Sequence, residues 1–154
     1  MKLSEYLAPE RVVTDVEPGD VPGILRQLLD PLLADGTLPE ADAMLSALLA
    51  REKILSTGIG HGIAVPHAIS ASVRHPLVIL GLSAPGVDYD AMDGGPVHVF
   101  FVLLSPPDSA SHHTQMLARI ARLGRDPEFV AALSSQTDPH AALGCVEEYE
   151  KTHG

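Results

Sequence analysis

Two groups of histidines sit in surroundings suited to chemistry. The first closes the run Arg51-Glu-Lys-Ile-Leu-Ser-Thr57-Gly58-Ile-Gly60-His61-Gly-Ile-Ala-Val-Pro66-His67. Glycines at that density let consecutive backbone N–H groups face one anion, and Thr57 and Arg51 add donors. A histidine beside such an anion can act as nucleophile, general base or ligand. The plainer reading is a tight glycine turn with a polar histidine at a strand end, and a short Gly-rich loop taken alone favours it. The second group is His112-His113, just ahead of a helical stripe. Free N–H groups and the dipole of a helix start attract negative charge, so a histidine there can hold or orient an anion. Taken alone, it reads as a solvated helix start.

Several familiar chemistries do not fit. No Gly-Lys-Ser/Thr follows the loop, so it is not a Walker A phosphate cradle. Gly58-Ile-Gly60 lacks the third glycine of a dinucleotide fingerprint at the right spacing, and the helical pattern precedes the loop instead of following it. His61, His67, His112 and His113 could cluster around a metal. However, there is no His-Glu-x-x-His run and the single Cys145 has no cysteine partner, so no metal is expected. A Gly-x-Ser-x-Gly elbow is missing as well.

Composition narrows the field further. The chain has 154 residues, with 10 Lys+Arg against 20 Asp+Glu and a formal charge of -10. An acid excess of this size disfavours nucleic acid and anionic membrane surfaces. The first ten residues lack the apolar run of a secretory signal, and no stretch has the length of a membrane span. With a lone cysteine, these features point to a reducing, cytoplasmic setting.

The elements that must position the histidines follow from periodicity. Val21, Ile24, Leu25, Leu28, Leu29, Leu32 and Leu33 form a helical stripe opened by Asp20 and closed at Asp35-Gly36. Thr37-Leu38-Pro39-Glu40 restarts a helix whose stripe, Met44, Leu45, Leu48 and Leu49, leads to Arg51 and Glu52. Residues 56–62 are expected to be irregular, and Ile63-Ala64-Val65 a short strand ended by Pro66-His67. Residues 77–84 and 97–104 are nearly continuous apolar runs, the pattern of strands covered on both faces. A third helix is expected over 110–124, a fourth from Pro127, and a fifth from Asp138-Pro139 to about Tyr149. The acidic run Glu147-Glu148-Glu150 reads as a solvated helix face. The sum is a single α/β domain over residues 1–154, with a mixed central β-sheet flanked by helices.

Together these pieces resemble a known family. The run from Arg51 to His67 looks like the phosphorylation-site motif of the fructose/mannitol-type enzyme IIA domains of the bacterial phosphoenolpyruvate-dependent phosphotransferase system, which include the nitrogen-regulatory IIA proteins. His113-Thr-Gln-Met-Leu-Ala-Arg-Ile-Ala is similar to that family's second histidine motif, and Val87-Asp-Tyr-Asp-Ala-Met-Asp-Gly-Gly-Pro-Val97 to its turn between central strands. The resemblance implies a phosphohistidine carrier with His67 as acceptor, His113 as second active-site histidine and Arg51 as the motif arginine. It also implies that Thr57, Gly58, Gly60 and His61 line the phosphate pocket. Spacing to Leu117 selects His113 over His112, while Thr114 departs from the leucine usual after the histidine. The implied donor is the phosphocarrier HPr and the implied acceptor a IIB domain. No cofactor is needed, because the donor is already a phosphohistidine. An apolar rim around His67, with Ile59 and Ile63 as candidates, would dock HPr. Two roles follow from the resemblance: delivery of phosphate to a IIB domain for sugar uptake, or control of partner proteins by a nitrogen-regulatory IIA protein without transport.

Overall fold

Alternation along one strand explains the architecture. In Val97–Ser105, the residues Phe100, Val102 and Leu104 join one apolar cluster while Val99, Phe101 and Leu103 join another, and all six are buried. A strand with apolar side chains on both faces must lie inside a sheet covered on both sides. The computed structural model describes residues 2–38 and 41–153. It has strands β1 (Val12–Val13), β2 (Gly58–Gly60), β3 (Ile63–Ala64), β4 (His67–Ile69), β5 (Leu77–Val87) and β6 (Val97–Ser105). The helices are α1 (Val21–Ala34), α2 (Ala41–Ile54), α3 (Ala110–Leu123), α4 (Pro127–Ser134) and α5 (Pro139–His153).

The sheet runs β1-β5-β6-β3-β2, and β4 also pairs with β6. β5 and β6 are antiparallel, whereas β1 on β5 and both β3 and β4 on β6 are parallel, so the sheet is mixed. Ile24, Leu28, Met44 and Leu48 of α1 and α2 cover one face. Met116, Ile120, Phe129, Leu133 and Val146 of α3, α4 and α5 cover the other. Gly81 in β5 serves this packing, because a Cβ there would overlap the Leu28 side chain of α1.

Local signals explain the helix starts. The Asp20 carboxylate accepts from Gly23 N at 2.8 Å, capping α1, and Asp126 accepts from Phe129 N at 3.1 Å, capping α4. Pro39 and Glu40, expected to open the second helix, lie outside the described residues.

Four expectations are corrected or extended. The glycine stretch contains a strand, β2, which three residues cannot advertise by periodicity. His67 follows the end of β3 as expected but also begins a further strand, β4. Pro66 cannot donate, yet its carbonyl still accepts from Leu103 N at 2.9 Å, so the chain stays beside β6. α5 continues past Tyr149 to His153. Glu150 is not solvated: it is buried and accepts from Leu3 N at 2.7 Å and Ser4 N at 2.9 Å.

Candidate functional site

β6 brings the two central histidines together. His67 is paired with Leu103, and two residues on, Ser105 ends the strand. After Pro106 and a 3-10 turn at Pro107–Ser109, α3 begins, and its first turns carry His113. The rings of His67 and His113 lie 5.5 Å apart, centre to centre. α2 delivers Arg51 to the same corner in its last turn. Ser105 in turn accepts from Ser70 N through its carbonyl at 2.9 Å, holding the chain after β4 against the end of β6.

Two bonds fix the protonation of His67. Its Nδ1 lies 2.7 Å from the Val65 carbonyl oxygen, which can only accept, so Nδ1 carries a proton. Its Nε2 lies 3.2 Å from Nε of Arg51, which can only donate, so Nε2 carries a lone pair. The neutral ring satisfies both. Arg51 is itself braced by donation from Nη1 to the Leu55 carbonyl at 2.7 Å. Burial lowers the His67 pKa from 6.5, with the Arg51 charge adding to the effect and the Val65 bond and Glu52 opposing it. Burial likewise takes His113 down to about 4, helped by the neighbouring His67 and His112. Near neutral pH both rings are uncharged.

The candidate residues divide in space. Arg51, His67 and His113 converge. His112 faces away, its Nε2 paired with the Tyr6 hydroxyl at 2.8 Å. Thr57 is buried and committed: its Oγ1 donates to Glu52 at 2.7 Å, and its backbone N–H meets the same carboxylate. The Gly58 amide donates to Ser56 Oγ at 3.1 Å, and a Cβ on Gly58 would come within 2.8 Å of the Ala91 backbone. Gly60 and His61, expected in the phosphate pocket, lie elsewhere. Ile63 is paired with Val99 and His67 with Leu103 on the same parallel partner, four residues further along, which is about 13 Å. His61 faces an open cleft of about 530 Å³ with His98, Asp93 and Ser134. The positive φ of Gly60, His61 and Gly62 (93°, 59° and 81°) shows what those glycines do: they turn the chain from β2 into β3.

Exposed apolar side chains lie close in sequence to two members of the convergent corner. Ile54 and Leu55 follow Arg51 with 80% and 53% exposure, and Ile69, two residues beyond His67 on the same strand face, has 46%. Ile59 and Met92 are also exposed, and Met92 N donates to the Gly58 carbonyl at 2.8 Å. Ile63, expected on this rim, is fully buried under α3 and α4, where its parallel pairing with β6 puts it.

Three residues here fall outside the motifs of the sequence. Glu52 stands beside Arg51, and a carboxylate five residues ahead of a threonine at a helix end is a bracing signal. Ser105 had only its place before Pro106-Pro107 to mark it. Tyr89 is buried against Phe100, its hydroxyl without a hydrogen-bond partner among the described residues, and burial with the nearby Glu52 charge pushes its pKa far up.

A doubly covered mixed sheet here sets an imidazole with a bare Nε2 beside an arginine and a second imidazole. The family described as "Phosphoenolpyruvate-dependent sugar phosphotransferase system, EIIA 2" matches residues 5–149, and the chain belongs to it. Domains of this family carry phosphoryl groups in the phosphotransferase cascade. A nitrogen regulatory protein of Pseudomonas aeruginosa is 40% identical over 126 residues, covering 80% of each chain. A fructose-specific EIIA component of Haloferax volcanii is 37% identical over 120 residues, covering 78% of each. The fructose-specific EIIABC component of Bacillus subtilis is 31% identical over 98% of this chain, which spans only 24% of that protein. Among solved structures, the nitrogen regulatory protein IIA-Ntr of Neisseria meningitidis superimposes with a TM-score of 0.83 at 28% identity, covering 94% of this chain and 98% of that one. The mannitol IIA of Escherichia coli shares the fold, with a TM-score of 0.75 at 20% identity over 91% of this chain and 98% of that one.

Proposed function

We propose that this protein is a phosphohistidine carrier that accepts a phosphoryl group from HPr on Nε2 of His67 and passes it to a IIB domain. The observation that carries the reading is the protonation pattern of His67: proton on Nδ1 toward Val65, lone pair on Nε2 toward Arg51. The Nε2 lone pair attacks phosphorus as the donor's N–P bond breaks, and the donor imidazole keeps the electron pair. Positive charge that develops on the His67 ring is met by the Val65 carbonyl at Nδ1. The Arg51 guanidinium turns from nitrogen to the phosphoryl oxygens, for which its forked donors are suited. His113, neutral and adjacent, hydrogen-bonds those oxygens without taking the group.

Ile54, Leu55 and Ile69 form an apolar surface on which a partner protein can sit around the reactive nitrogen. The net charge of -10 favours encounter with a basic partner. A structure of Escherichia coli mannitol IIA with phosphorylated IIB supports a IIB acceptor by analogy of fold. The nitrogen regulatory relatives in Pseudomonas aeruginosa and Neisseria meningitidis support a second reading, in which the phosphorylation state of His67 governs binding to other proteins without transport.

Incubation with phosphoenolpyruvate, enzyme I and HPr, followed by intact mass, tests the carrier reading. One acid-labile phosphate is expected, absent from His67→Ala; no gain with a competent donor overturns it. Rapid discharge onto a sugar-specific IIB domain selects transport, and failure to discharge onto any such domain selects regulation.

A further inference from the structure

Ser105 ends β6 with its side chain fully buried. Its hydroxyl oxygen lies 2.7 Å from Nδ1 of His113, its one hydrogen-bond partner among the described residues. A hydroxyl has one proton to place. If the ring donated from Nδ1, the hydroxyl proton would point at no acceptor, a buried donor left unsatisfied. Donation from Ser105 to Nδ1 removes that conflict and leaves the single proton of the neutral ring on Nε2. That nitrogen has no partner among the described residues, yet it is not among the buried side-chain atoms that lack one, which are Tyr89 OH and His112 Nδ1. It therefore keeps some exposed surface, on a ring whose centre lies 5.5 Å from that of His67.

We propose that Ser105 is a positioning residue that locks His113 as the Nε2–H tautomer, so that His113 presents one fixed donor to a phosphoryl group on His67. The proposal rests on the carrier reading for its purpose, but its structural half stands without it. The two histidines hold opposite tautomers. His67 turns a lone pair to the site because a carbonyl and a guanidinium flank it, and His113 turns an N–H to the site because a hydroxyl stands behind it. Burial, with the neighbouring imidazoles of His67 and His112, keeps His113 uncharged, so the bond it offers is directional rather than a general attraction for anions.

Ring-nitrogen NMR of the unphosphorylated, 15N-histidine-labelled full chain reads the tautomers directly, with Ser105→Ala and Ser105→Thr as variants. The wild-type His113 is expected to show a bare Nδ1 and a protonated Nε2, and His67 the reverse. Ser105→Ala is expected to give His113 a mixture of both tautomers and to slow phosphoryl uptake from phospho-HPr roughly tenfold, the order of one lost neutral hydrogen bond. Ser105→Thr, which keeps the hydroxyl, is expected to restore both. A wild-type His113 protonated at Nδ1 overturns the proposal, as does a Ser105→Ala spectrum with the wild-type tautomer. Unaltered uptake by Ser105→Ala overturns the positioning role. A wild-type protein that shows the expected tautomers but accepts no phosphoryl group refutes the carrier reading instead and leaves the tautomer assignment standing.

Discussion

Arg51 donates from Nε to Nε2 of His67 at 3.2 Å, on the side of the ring that Val65 leaves open. The arginine thus covers the Nε2 lone pair in the resting protein and, on the proposed carrier reading, stands where phosphoryl oxygens would arrive. Replacing it should therefore cost charge and direction together. Arg51→Ala is expected to lower the rate of phosphoryl uptake roughly 100-fold, and Arg51→Lys roughly tenfold, because an ammonium restores charge without the fork. Rapid-quench measurement with phospho-HPr checks both; equal rates for the two variants would deny the fork a role.

On the proposed carrier reading, uptake needs the unprotonated His67 ring. Burial lowers its pKa from the ordinary 6.5, so the ring stays unprotonated into more acid solution than a free histidine. The uptake rate is expected to fall to half its plateau only below pH 6.5. A rate already halved at pH 6.5, with a donor whose own profile has been subtracted, would contradict this.

Stability should follow His113. Its folded pKa is about 4 and its unfolded value 6.5, so between those limits the unfolded chain binds more protons. Stability is then fully present above pH 6.5 and is lost as pH falls toward 4, by at most about 1.4 kcal/mol per pH unit for this one group. Urea unfolding across that range measures the slope, and His113→Gln should flatten it.

Two glycines in different surroundings should answer oppositely to alanine. At Gly58 a Cβ would sit 2.8 Å from the Ala91 backbone, so Gly58→Ala is expected to destabilise by about 1–3 kcal/mol. Gly144 lies inside α5 with nothing within 4 Å of a Cβ, so Gly144→Ala is expected to stabilise by about 0.5–1 kcal/mol. Thermal melts of both variants decide it.

What the residues disclose in advance depends on how local the cause is. The Asp20 cap, the stripe of α1 and the buried runs of β5 and β6 each depend on near neighbours, and each is readable from periodicity and capping alone. β4 is not, because its three residues become a strand only by lying against β6. The glycines between Thr57 and Gly62 announce unusual backbone correctly. Their purpose is tertiary: one admits Ala91, and two turn a hairpin about 13 Å along the sheet from His67. Ser105 and Glu52 carry no pattern of their own, and only the folded chain sets them behind His113 and Thr57. His98 in β6 is a satisfied sheet histidine, its Nδ1 3.1 Å from the carbonyls of Ser83 and Ala84.

The buried Glu150 has a bearing on the order in which the molecule assembles. It grips the N–H of Leu3 across 147 residues of sequence, and Tyr6 in the same segment holds His112, next in the chain to His113. A closure spanning nearly the whole chain gains nothing until everything between is in place, so this latch is expected to form last on folding and to open first. Slow exchange of the Leu3 amide would then report the completed molecule, and its early exchange would mark the moment at which the scaffold beneath the second histidine begins to loosen.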